Sequence, residues 1–222
     1  MTIEERLAEN IDVAIRTLAP KFDVTAQQLA TFRKPISRLS QRIGNNRKSR
    51  GMFNADAVRF DITPEGLDNP EVLGEEVSHY FHKVLNPGLS QEIVSHGIHK
   101  KEYWLGIALQ ELVGGYGKIV YSVLSGQPFL PISVGDFNFG QLLGLIKRLN
   151  DTSCPDAIWD LDDYAHEMGY KRAEVAFRKH EELLLPRLVR MSLDEAVETL
   201  PRLLPVTIYE KKVLPILDKI TR

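Results

Sequence analysis

The sequence predicts a mainly α fold with one small β hairpin or sheet (α+β), and three observations carry that reading. Apolar residues recur at helical spacing along most of the chain, as Ile11, Ala14, Ile15 and Leu18 do near its start. One stretch differs: Val58, Phe60 and Ile62 alternate with Arg59 and Asp61, the period of a half-buried strand. Helix punctuation is dense, with Pro20 closing the first segment and Pro186, Pro201, Pro205 and Pro215 breaking up the last ones.

Composition narrows the class. The 222 residues suffice for one large domain or two small ones. Hydrophobic residues make up 43% and charged residues 26%, the balance of a soluble globular protein. A net charge of −2 exerts no global pull toward nucleic acid or anionic lipid. The single cysteine, Cys154, excludes an internal disulfide framework and fits a reducing compartment. The opening "MTIEERLAEN" is acidic and polar, and no stretch reaches the roughly 18 apolar residues of a membrane helix. A cytoplasmic protein without a membrane segment is therefore expected.

The elements follow in order. Residues 3–19 read as a helix ended by Pro20, and the Asp23 to Thr25 turn caps a second that runs to about Arg33. A short helix is expected at 36–43, closed by Gly44, Asn45 and Asn46. Arg33, Lys34, Arg38, Arg42, Arg47, Lys48 and Arg50 crowd this region. They form a solvated charged face or a phosphate-binding patch, and no interleaved aromatic residues offer a base-stacking platform. Residues 52–63 predict a hairpin, then a loop in which Asp68 or Asn69 caps a helix that starts at Pro70 and runs to about 85. A linking segment carries His96 and His99, read as surface histidines or spare ligands. Helices are then expected at 102–123, 137–149, 157–182, 183–191, 193–200 and 206–220. Residues 1–50 read as an N-terminal helical segment and 51–222 as the main domain, packed together as one unit.

The stretch "GEEVSHYFHKVL", at 74–85, holds the first chemistry. At about 100° per residue, His79 lies roughly 40° and His82 roughly −20° from Glu75, so the three share a face. Leu73, Val77, Tyr80, Phe81 and Val84 form the opposite, core-facing stripe. Either the polar face meets water, or Glu75 and His79, one turn apart, chelate a metal while Glu76 stands beside it as a base.

Residues Glu75, Glu76, Val77, Ser78 and His79 resemble the motif helix of the zincin metallopeptidases, His-Glu-x-x-His, with glutamate in place of the first histidine. A carboxylate oxygen also binds zinc. In the gluzincin branch a later helix supplies a third ligand, a glutamate, and the resemblance assigns that role to Glu111. The residues around Glu111 make their own case. Gln110 and Glu111 are the strongly polar side chains between Tyr103 and Gly117, on a helix apolar on nearly every side. A buried carboxylate there needs a cation, an arginine, tyrosine hydroxyls or a retained proton. Small residues at 108, 114 and 115 let a second helix approach; if that helix is 70–85, Glu111 meets Glu75 and His79.

The segment 164–200 resembles the C-terminal helices of gluzincin-type domains, and the resemblance extends over roughly 52–200. It implies that His166 or Tyr170, one turn apart, donates a hydrogen bond to the oxyanion. The expected protein is a metal-dependent hydrolase acting on a peptide or protein, with Glu75, His79 and Glu111 as ligands and Glu76, His166 and Tyr170 as catalytic residues. Zinc is the first choice of ion. Two carboxylates cancel the charge of a divalent ion, so bound water should be acidified less, and the oxygen ligands soften the preference for zinc and admit Mn²⁺ or Fe²⁺. Two alternatives remain. One is a non-catalytic zincin-like binding module with 33–50 as its contact surface. The other is a di-metal carboxylate bundle using the Glu76 and His79 pair, the Asp163 and His166 pair, and Glu111.

Overall fold

The structure, a computed structural model, describes residues 1–41, 43, 50–97, 101–127 and 184–203. Its described part is mainly helical with a small three-stranded sheet, an α+β protein. No described helix is long and apolar enough to cross a membrane.

The chain opens with α1 (Ile3–Leu18), started by a capping box in which the Thr2 hydroxyl accepts from the Glu5 amide and the Glu5 carboxylate accepts from the Thr2 amide. Leu7, Ile11, Ala14, Ile15 and Leu18 form its buried stripe. Pro20 does not simply stop the chain. Its ring fits the first turn of a 3-10 segment, Ala19–Phe22, which ends at Asp23 in the left-handed region. A second capping box, Thr25 with Gln28, starts α2 (Ala26–Thr31).

The short helix expected at 36–43 is instead strand β1 (Ile36–Leu39). Ile36, Leu39 and Ile43 have helical spacing, but long-range pairing decides the outcome. The Ile36 amide donates to the Val58 carbonyl and the Ser40 amide to the Ile62 carbonyl. The predicted hairpin forms, with β2 (Gly51–Asn54) antiparallel to β3 (Arg59–Ile62). The strand order is β1-β3-β2, with β1 parallel to β3. Asn54 Oδ1 accepts from the Ala57 amide and closes the turn. Val58 ends it at φ 49°, a strained angle for a β-branched residue.

Asn69 caps α3 (Pro70–Leu85): its side chain accepts from the Glu71 amide, and Pro70 takes the first helical position, where no N–H is needed. The linker expected after Pro87 contains a further helix, α4 (Leu89–His96), followed by the long α5 (Lys101–Leu124). Two short helices, α6 (Leu184–Leu188) and α7 (Leu193–Leu203), close the described chain. The segments expected at 137–149, 157–182 and 206–220 lie outside the described residues.

Backbone contacts divide the chain into two compact units. The first takes in Met1–Pro87, α5 from Val113 onward and α6. Aromatic rings knit its core: Phe22 stacks on Phe81 with centroids 4.7 Å apart, and Tyr80 touches Phe53, Phe60 and Phe81. Leu185, Leu188 and Val189 are also buried, and the Arg190 guanidinium donates to the Phe22 carbonyl. The second unit holds α4, α5 up to Leu112 and α7. Leu89 and Ile93 are buried there, and a Cβ at Gly106 would meet Ile93 and Leu193. Gln110 Nε2 donates to Ser90 Oγ.

Candidate metal centre

The centre is built on the approach of α3 to α5. Two glycines permit it. A Cβ at Gly117 would lie 1.6 Å from Ser78 Oγ, and a Cβ at Gly74 would lie 2.7 Å from the Gly117 carbonyl oxygen. No other residue fits either place without moving a backbone. Ser78 is fully buried at this crossing and turns its hydroxyl back onto the Gly74 carbonyl. His82 is buried as well. The polar face of α3 is therefore not uniformly wet, and for Ser78 and His82 the solvated reading is corrected.

The same closeness seats His79. A Cβ at Gly114 would stand 2.6 Å from both Cε1 and Nε2 of its ring. The imidazole edge thus lies on the bare backbone of α5. Glu111 sits three residues before Gly114, on the same face of one unbroken helix. It is buried, 8% exposed, whereas Glu75 and His79 are half-buried.

Glu75, His79 and Glu111 each offer one ligand atom, and the three atoms lie within 4.8 Å of one another. Two ligands about 2.1 Å from one tetrahedral ion stand roughly 3.4 Å apart. One imidazole nitrogen and two carboxylate oxygens suit Zn²⁺, and equally Mn²⁺ or Fe²⁺. These three residues could hold one metal ion.

Glu76, the expected base, is buried and stands outside this group. Its Oε2 accepts from the Phe53 amide at 2.6 Å, which ties the carboxylate to β2, an edge of the sheet. His96, at the end of α4, is exposed. His99, Asp163, His166 and Tyr170 lie outside the described residues, as do Arg42, Arg47 and Lys48 of the basic segment. Arg33, Lys34, Arg38 and Arg50 are exposed, and Arg38 approaches Asp61.

Sequence reasoning missed Lys118. Its Nζ lies 3.5 Å from Glu75 Oε2 and 3.7 Å from Glu71 Oε2. The signal was available: Lys118 is the one charged residue between Leu112 and Leu124, seven positions after Glu111 and so on the same face.

Burial raises the pKa of Tyr80, whose hydroxyl donates to the Arg33 carbonyl. Burial also raises that of Tyr121, and a hydrogen bond with Ser125 partly opposes the shift.

No protein family, characterised protein or solved structure matches this chain.

Proposed function

We propose that this chain binds one divalent metal ion through Glu75, His79 and Glu111 and is a metal-dependent hydrolase of peptide or protein substrates. One observation carries the reading: three donor atoms from two helices gather within 4.8 Å. Their resemblance to the zincin arrangement adds the reaction class. When bound, such an ion polarises a carbonyl group and acidifies water.

The chain's own residues divide the remaining work. His79 supplies a ring nitrogen, and the ring edge lies close to the bare backbone at Gly114. Glu75 and Glu111 supply two negative charges that match a divalent ion. Glu76, next to Glu75, is the proton acceptor in this scheme. Its Oε2 is engaged by the Phe53 amide, so transfer at that atom requires the bond to lengthen or swing. His166 or Tyr170 would donate to the oxyanion.

The bond between Phe53 and Glu76 favours a second reading, a zincin-like module that keeps the metal and lacks turnover. The two readings separate in one experiment. Protein stripped by chelator and reloaded with Zn²⁺, Mn²⁺ or Fe²⁺ is assayed on a general peptide mixture beside Glu76→Gln. The hydrolase reading requires cleavage that falls about 10²–10⁴-fold in the variant while the metal stays bound. Metal binding without cleavage establishes the second reading, and cleavage that survives Glu76→Gln removes Glu76 from the mechanism.

A further inference from the structure

We propose that Lys118 is a resident cation beside this acid cluster, holding Glu75 in the metal-free protein, competing with a metal ion for it, and passing to Glu71 when the ion binds. The inference rests on the metal-binding reading above. Glu71 and Glu75 are one turn apart on α3, and the Lys118 ammonium lies between them, 3.7 Å from one and 3.5 Å from the other. The two carboxylates differ in wetness: the Glu75 side chain is 19% exposed and that of Glu71 is 38%. An ammonium can leave the drier acid for the wetter one without losing a charged partner and with a gain in hydration.

A carboxylate that holds an ammonium is a poorer ligand, since the two cations repel across it. Lys118 thus raises the concentration of metal needed to fill the site and stabilises the helix pair while the site waits.

The test is a titration of the full chain, stripped of metal, with Zn²⁺ alone and with Co²⁺ alone, by calorimetry. Lys118→Met keeps the alkyl stem and removes the charge. It is expected to bind about tenfold more tightly or better, the effect of a unit charge a few ångströms from a divalent ion even at the dielectric constant of water. Lys118→Arg, whose planar fork grips two carboxylates at once, is expected to bind several-fold more weakly than the wild type. If Lys118→Met does not fold, the arginine variant still decides. Equal or weaker binding by Lys118→Met, or equal or tighter binding by Lys118→Arg, overturns the competition. If neither the wild type nor a folded variant takes up metal, the metal-binding reading itself fails and this inference falls with it.

Discussion

Replacing Gly117 with alanine places one methyl group where α3 and α5 touch. The new Cβ would stand 1.6 Å from Ser78 Oγ, 2.6 Å from Ser78 Cβ and 2.8 Å from the Gly74 carbonyl oxygen. Two effects oppose each other. Alanine is the better helix former by about 1 kcal/mol, so an isolated α5 would gain. Packing loses more. The Ser78 hydroxyl can rotate away only by giving up its bond to Gly74, worth about 1 kcal/mol, and rotation moves neither the Ser78 Cβ nor the Gly74 carbonyl. The helices must therefore part, and overpacking of this kind costs about 1–3 kcal/mol or more. The net expectation is a loss of about 2 kcal/mol, which lowers the melting temperature by roughly 4–8 °C in a chain of this size. Urea unfolding of metal-free protein measures it. Ser78→Ala combined with Gly117→Ala removes the shortest clash and leaves the other two, so it should recover part of the loss, with a coupling on the order of 1 kcal/mol. If Gly117→Ala is as stable as the wild type or more so, helix propensity has won, and the close crossing that seats the proposed metal ligands is wrong.

Three other perturbations probe separate links. Gly114→Ala drives a methyl group into the His79 ring, 2.6 Å away, and should weaken metal binding about 10–100-fold, read as a Kd for Co²⁺. Asn69→Ala removes the α3 cap and should cost about 1 kcal/mol by urea unfolding, while Asn69→Asp should be nearly neutral. Alkaline pH should destabilise the fold through Tyr80. Its folded pKa is raised by burial above the ordinary value of 10.0, so the folded phenol keeps its proton where the unfolded one has lost it. Stability from this group is full below pH 10 and is lost as the pH climbs from there through the raised value. Urea midpoints between about pH 9 and 11.5 should fall less steeply in Tyr80→Phe than in the wild type.

Much of the fold was legible because its signals are local. The Asn69 cap before Pro70, the helical stripe of Leu73, Val77, Tyr80 and Phe81, and the alternation of Val58, Phe60 and Ile62 each specify an element from a few neighbouring residues. Strand β1 was not legible, because its hydrogen bonds are made to the Val58 and Ile62 carbonyls, about twenty positions away, while Ile36, Leu39 and Ile43 imitate a helix. Helix α4 was hidden for the opposite reason. It begins at Gly88 with no side-chain cap, directly after a run that reads as a turn, and its buried residues are only Leu89 and Ile93. At the candidate centre, helical geometry put Glu75 and His79 on one face, and the apolar surroundings of Glu111 marked it as an acid in need of a partner. The burial of Ser78 and His82 did not follow from their own helix. For Ser78 it depends on which residues of α5 lie opposite, and those are glycines.

The central claim is that a carboxylate and an imidazole on α3 and a buried carboxylate on α5 share one ion. Its most direct test is a Co²⁺ titration of metal-free protein, followed by visible absorption, beside His79→Ala and Glu111→Gln. One ion per wild-type chain, with binding lost in both variants, is the predicted result. A wild-type protein that binds none, or variants that bind as the wild type does, would contradict it.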